Sequence, residues 1–203
     1  MYTPTHFREE RVDILHAAIG RIGLATLVTH GDAGMEASQL PMIVDAAAAP
    51  LGVLSGHMAR ANPLWKRAGG EALAVFLGPH AYISPSWYPS KIETGKVVPT
   101  WNYLAVHATG TIEFFDDPIQ LRAQVEQLTR TNETGREPPW AVGDAPDAYV
   151  AQLLRAIVGF RLTVTKLEGQ WKMSQNKPAA ERDGVMEGLT REGAADLLAV
   201  MKP

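Results

Sequence analysis

The chain has 203 residues, 19 Lys and Arg against 22 Asp and Glu, a formal net charge of −3, and 46% apolar residues. Enough apolar surface is present to order the chain, which excludes disorder, and the slight acidity, with no local basic patch, excludes a protein-wide attraction for nucleic acid. There is no cysteine, which removes disulfides, thiolate metal sites and cysteine nucleophiles together. The start Met-Tyr-Thr-Pro runs into Arg8-Glu9-Glu10-Arg11 without the basic and then apolar regions of a signal peptide. The longest apolar run, Ala46 to Leu54, is broken by Pro50 and Gly52 and falls well short of the ~20 residues that span a bilayer. A soluble, cytoplasmic protein is expected.

Val12, Leu15, Ile19 and Ile22 recur at helical spacing behind the acidic pair Glu9-Glu10, predicting an N-terminal amphipathic helix. Leu24 to Thr29 and Met35 to Asp45 read as two strands joined by a tight turn at Gly31-Asp32-Ala33-Gly34. Leu51 to Leu54 makes a third strand, and Ala61 to Ala68 a short helix stopped by Gly69-Gly70. Ala72 to Leu77 is a fourth strand continued by Ala81 to Ser84. Pro85, Pro89, Gly95 and Pro99 then break the chain into a loop of 15 residues, long enough to be a candidate binding loop.

Tyr103 to Phe115 returns to strand character, with Gly110 permitting a bend. Asp116-Asp117-Pro118 opens a helix through Leu121, Val125 and Leu128. Asn132 to Pro146 is polar and irregular, and Asp147 caps a short helix through Leu153-Leu154. Ile157 to Leu167 is a strand with Val158, Phe160, Leu162 and Val164 on one face, extended beyond Gly169 by Trp171 to Met173. The tail from Pro178 is helical, with a last helix carrying Leu197, Leu198 and Met201. About six mostly sequential strands with accessory helices favour a single antiparallel barrel domain over βαβ repetition.

Three segments hold more polar and aromatic residues than a core requires. In Ser55 to Pro63, a strand end and a helix start would let early amides, His57 and Arg60 receive an anion such as phosphate. Equally, Arg60 can pair with a surface carboxylate while His57 is an ordinary hydrogen-bonded residue. From Tyr82 to Tyr103, Trp87, Tyr88 and Trp101 are interleaved with Ser84, Ser86, Lys91, Lys96 and Asn102. That density offers planar faces and donors to a ring-shaped ligand, and composition allows a barrel mouth or a subunit interface just as well. Lys172, Ser174, Gln175 and Asn176 close the last strand and face either a ligand or solvent. The six histidines lack metal-ligand spacing, and no nucleophile elbow, Walker loop or dinucleotide fingerprint is present.

At these residues the sequence closely resembles the PaiB family of FMN-binding negative transcriptional regulators, within the FMN-binding split-barrel group. The resemblance spans nearly the whole chain. It rests on Met-Tyr-Thr-Pro-Thr-His-Phe at the start, SGHMARANPLW from Ser55, GPHAYISPSWY from Gly78, VPTWNYLAVHATG from Val98 and KMSQNK from Lys172. It implies a mainly β (α+β) fold: an antiparallel split β-barrel with accessory helices and a helical C-terminal extension over about 178–203 of one domain. It also implies a homodimer with FMN at or near the subunit interface and a role in repressing transcription.

By the same resemblance His57, Arg60 and Asn62 would meet the flavin phosphate, with Ser38 a weaker candidate. Trp87, Lys91, Trp101 and Asn102 would lie around the isoalloxazine or the dimer seam. Lys172, Ser174 and Gln175 would approach from the last strand, where a lysine near the pyrimidine edge favours the anionic reduced flavin. The chain shows neither a helix-turn-helix nor a basic face, so repression through DNA or through a regulatory partner protein are both compatible with it. The alternative is a flavin-dependent oxidoreductase acting on a small molecule. Haem bound through His57 or His107 has only fold analogy behind it.

Overall fold

The computed structural model describes residues 1–31, 34–48, 50–67 and 69–201. The centre of the expected turn at Asp32-Ala33, Ala49 of the apolar run, Ala68 of the expected short helix and the last two residues of the tail lie outside the described residues. In chain order the elements are β1 (Arg8–Glu9), α1 (Val12–Ile22), β2 (Leu24–Gly31), β3 (Gly34–Asp45), β4 (Val53–Ala59), α2 (Leu64–Arg67), β5 (Gly70–Ile83), α3 (Ser90–Glu93), β6 (Thr100–Phe115), α4 (Pro118–Glu133), α5 (Asp147–Arg155), β7 (Ile157–Lys172), α6 (Ala179–Arg191) and α7 (Ala195–Met201). The strands pair in the order β1-β7-β4-β3-β2-β5-β6, and a further pairing of β6 with β7 closes the ladder. Every register-defined pair is antiparallel.

Backbone contacts gather into two units. A terminal unit comprises Met1–Arg11, Leu77–Val106 and Glu168–Pro203, and a barrel unit comprises Val12–Phe76 and His107–Leu167.

In the barrel unit, α1 presents Leu15, Ala18 and Ile19 inward at helical spacing. It ends at Gly23, whose left-handed φ of 67° lets its N–H donate to the Ile19 carbonyl. β2 and β4 alternate, burying Ala25 and Leu27 on one and Leu54 and Met58 on the other. β4 pairs with β7 so that Leu54 faces Leu162, Gly56 faces Phe160 and Met58 faces Val158. Burying each large apolar side chain contributes about 2 kcal/mol. Beside the strands, α4 and α5 enclose a cluster of Leu121, Val142, Val150 and Leu154. Asp117 caps α4 by accepting the Gln120 N–H at 2.9 Å.

β4 is longer than its sequence suggests, and this overturns one expectation. Ser55 to Ala59 does not open a helix: Ser55 pairs with Arg161 and His57 with Gly159 in the β4–β7 ladder. The period-two burial of Leu54 and Met58 outweighs the polar character of the residues between them. No anion meets a helix N-terminus there, because those amides belong to the sheet and α2 has only 4 residues.

In the terminal unit, β1 adds a 2-residue strand, pairing Arg8 with Gln170 and Glu9 with Gly169. The proline-rich loop after β5 is more ordered than expected. It opens with a 3-10 turn over Pro85–Trp87, where the Ser84 hydroxyl accepts the Ser86 N–H, and continues into α3. Trp87 lies against α6, where a Cβ on Gly188 would come within 2.2 Å of the indole ring. Val185, Leu189, Leu197 and Met201 bury the inner faces of α6 and α7.

Closest approach in the barrel unit occurs at Gly110 of β6, where a Cβ would stand 2.1 Å from the Thr163 carbonyl oxygen of β7. Backbone cannot yield as a flexible side chain can. Gly110→Ala is therefore expected to lower unfolding stability by about 3 kcal/mol in a urea titration, and a change within error would show that the strands separate there without cost.

Candidate functional site

The expected phosphate-end residues all fall in the barrel unit. Ser38 sits on β3, and its hydroxyl accepts from Asn62 Nδ2 at 3.0 Å; Asn62 Oδ1 in turn accepts the Leu64 N–H at 3.0 Å and caps α2. Arg60 is anchored along the α5–β7 junction. Its Nε donates to the Arg155 carbonyl at 2.8 Å, its Nη2 to the Ile157 carbonyl at 3.0 Å, and its Nη1 meets Asp116 at 3.3 Å. Three of the five guanidinium N–H groups are thus committed to the fold. Arg60 also borders a mainly apolar cavity of about 910 Å³ formed by α4 and α5, with Arg122 and Arg155 on its margin.

His57 Nδ1 donates to Gln124 Oε1 of α4 at 2.9 Å. Gln124 is buried, and its Nε2 has no protein partner. A buried amide without an acceptor costs about 1–3 kcal/mol, so this orphaned donor marks the neighbourhood of His57 as one that suits a ligand's acceptor atom. Sequence reasoning missed Gln124. The available signal was a glutamine three residues after Leu121, on the helix face that packs inward.

The expected ring-side residues fall in the terminal unit. Trp101 is 52% exposed, with the Tyr82 ring edge-on at 6.1 Å and the His80 ring at 6.2 Å. Lys172 Nζ donates to Thr100 Oγ1 and to the Trp101 carbonyl, placing an ammonium beside this aromatic surface. Burial holds the Lys172 amine below its ordinary pKa. Asn102 is fully buried; its Oδ1 accepts from Ser174 Oγ at 3.1 Å and its Nδ2 reaches Met201 Sδ at 3.8 Å. Ser174 adopts a left-handed φ of 61°.

Trp101, Asn102, Lys172 and Ser174 are brought together by the ends of β6 and β7, but the other three expected residues serve their own segments. Trp87 packs on α6, Lys91 donates to Ser86 Oγ at 3.0 Å within the loop, and Gln175 accepts the Met173 N–H at 2.7 Å while donating to the Trp171 carbonyl. Tyr82, one of the aromatics of the candidate loop, and His80 complete the aromatic surface, and of the two only His80 lay outside the expected residues. Among the described residues no cluster of His, Asp or Glu is placed to hold a metal ion, and no helix is long and apolar enough to cross a membrane.

Hydroxyl, amide, imidazole and guanidinium donors gather in the barrel unit, and an exposed indole with a lysine lies in the terminal unit. The closed antiparallel ladder defines a split β-barrel. A FAD- and heme-binding protein of Mycobacterium smegmatis has the same fold, with a TM-score of 0.60 and 16% identity over 87% of this chain and 78% of its own. Residues 1–166 match the family model described as "Putative FMN-binding domain". The chain belongs to this FMN-binding domain family, and FMN is its cofactor. An uncharacterized protein of Emericella nidulans is 34% identical over 95% of this chain and 92% of its own length. The protease synthase and sporulation protein PAI 2 of Bacillus subtilis is 29% identical over 95% of this chain and 90% of its own.

The depressed pKa of Lys172 has a definite sign in folding. The charged amine is disfavoured in the native state, so it opposes folding below its native pKa, and the opposition fades as pH rises through that value toward the ordinary 10.5. In flavin-free protein the stability of wild type relative to Lys172→Met is accordingly expected to rise with pH as this opposition fades. Thermal melts should show wild type gaining on the variant up to about pH 11; wild type losing ground as pH rises would mean the amine is favoured in its charged form.

Proposed function

We propose that the protein is a homodimeric regulator of PaiB type that couples the presence or redox state of bound FMN to transcription. The observation that carries this reading is the family match together with the Bacillus subtilis relative, whose name ties that protein to protease synthesis and sporulation. FMN supplies reversible two-electron chemistry when bound, and the chain's task is to hold and tune it.

In this reading Ser38, His57, Arg60 and Asn62 serve the phosphate end, aided by the free amide of Gln124. The two Arg60 N–H groups not used by the fold remain for an anion. Trp101 and Lys172 serve the ring end, the indole as a stacking face and the ammonium as a counter-charge to the reduced flavin's negative pyrimidine edge. Trp87, Lys91, Asn102, Ser174 and Gln175 hold the surrounding segments in shape. With a net charge of −3, the regulator acts on DNA through a partner protein or a local contact made by the dimer.

Purified protein is expected to carry flavin absorption bands and to bind added FMN saturably, with Trp101→Ala and Asn62→Ala each weakening binding about tenfold. Absence of any flavin binding would end this reading. Operator binding, alone or with a partner, that changes when the flavin is reduced supports regulation. Rapid reoxidation of reduced flavin by one small substrate, with no such change, would instead make the protein an oxidoreductase.

A further inference from the structure

The cavity of about 910 Å³ between α4 and α5 lies within the barrel unit, and the flavin reading draws on none of its lining except Arg60. Its volume falls in the ~300–1,000 Å³ range of sites for organic ligands. On α4, Ile119, Arg122, Ala123 and Glu126 follow one another at three- and four-residue steps and form one stripe facing it. On α5, Ala151, Leu154 and Arg155 form the opposite stripe. The floor is apolar, made by the buried Leu121 and Leu154. Ile119 is 81% exposed, so a large apolar side chain stands in water at the rim, where the body of an apolar ligand would cover it.

The two ends of the cavity differ in charge. At one end Arg60 and Arg155 stand against Asp116 alone, and Asp116 is held by Arg60 Nη1 at 3.3 Å. At the other end Arg122 is shared between Glu126 at 2.9 Å and Asp147 at 3.4 Å, so two carboxylates face one cation. Arg155 gives only its carbonyl to the fold, accepting from Arg60 Nε. Among the described residues its guanidinium has no hydrogen-bond or ion-pair partner. Arg155 ends α5 one turn beyond Ala151, and a helical side chain leans back over the preceding turn, which carries this free cation toward the apolar stripe.

We propose that the cavity binds a monocarboxylic acid with an apolar body, of the class of medium-chain fatty acids. The carboxylate pairs with the Arg155 guanidinium, whose planar fork matches its two oxygens. The chain lies over Leu121, Ala123 and Leu154, and the negative charge of Glu126 and Asp147 keeps the acid group from binding at the far end. This site goes beyond the flavin reading and does not rest on it; Arg60 borders the cavity but is not needed to recognise the acid.

The probe is octanoate, titrated calorimetrically into flavin-loaded and flavin-free protein. Octanol, which has the chain without the charge, and acetate, which has the charge without the chain, are titrated beside it. One saturable octanoate site per chain is expected in both forms of the protein, with octanol about tenfold weaker and acetate not bound. Arg155→Met is expected to remove the preference for the acid. Ala151→Trp, which fills the apolar stripe, is expected to abolish binding of acid and alcohol alike, with flavin content by absorbance unchanged in both variants. Octanoate binding by protein that takes up no FMN supports the site while removing the flavin reading. No saturable octanoate binding, or a preference for the acid that survives Arg155→Met, would overturn the proposal. So would one-for-one displacement of octanoate by FMN, which makes the cavity part of the cofactor site, and so would a dimer that Ala151→Trp splits, which makes a second copy of the chain its occupant.

Discussion

Phe160 and Gly56 depend on each other, and much of the barrel unit depends on the pair. A Cβ at position 56 would stand 2.7 Å from the Phe160 ring and 2.6 Å from the Pro41 carbonyl, so a fully buried aromatic occupies the space that the missing side chain vacates. That fit sets the β4–β7 register, and a slip of one residue would turn Leu54, Met58 and Leu162 out of the core together. With the register set, His57 points to α4 and Arg60 leaves β4 at the carbonyls of α5 and β7.

The same residue types serve structure and ligand at once in this chain. Arg60 resembles an isolated surface cation in sequence, yet two of its five guanidinium N–H groups are spent on backbone carbonyls and a third on Asp116. Asn62 joins Ser38 to the first turn of α2. Among the described residues, the buried groups with unspent capacity include the amide nitrogen of Gln124 and the phenol of Tyr88. In a buried environment an unspent donor says more about ligand chemistry than a satisfied charge does.

Much of the fold was legible because its strands alternate. Ala25, Leu27, Leu54 and Met58 show period-two burial, and Leu15 and Ile19 fall at helical spacing. The motifs that mark the family were also legible, as continuous stretches of sequence. What stayed hidden was non-local. β1 is too short to carry a period, and the polar residues of Ser55 to Ala59 disguised the second half of β4. The partnership of His57 with Gln124 spans 67 residues and that of Ser174 with Asn102 spans 72, distances at which one sequence gives no pairing information. Tyr88 read as one aromatic among several until burial separated it from Trp101 and Tyr82.

The join between Asn102 and Ser174 also bears on when the terminal unit can acquire the polar wall that these residues form with Lys172. Its two halves leave the ribosome 72 residues apart, and Glu181, which holds the Ser90 amide, follows later still. Contacts of such long separation form only after a large loop has closed. During synthesis the strands of the barrel unit up to Phe76 are available to pair while the surfaces around Tyr88 and Asn102 still await their partners. A nascent chain can thus pair β2 with β3 and β5, and β3 with β4, while it has none of the wall, and that wall is complete only once Ser174 has been made.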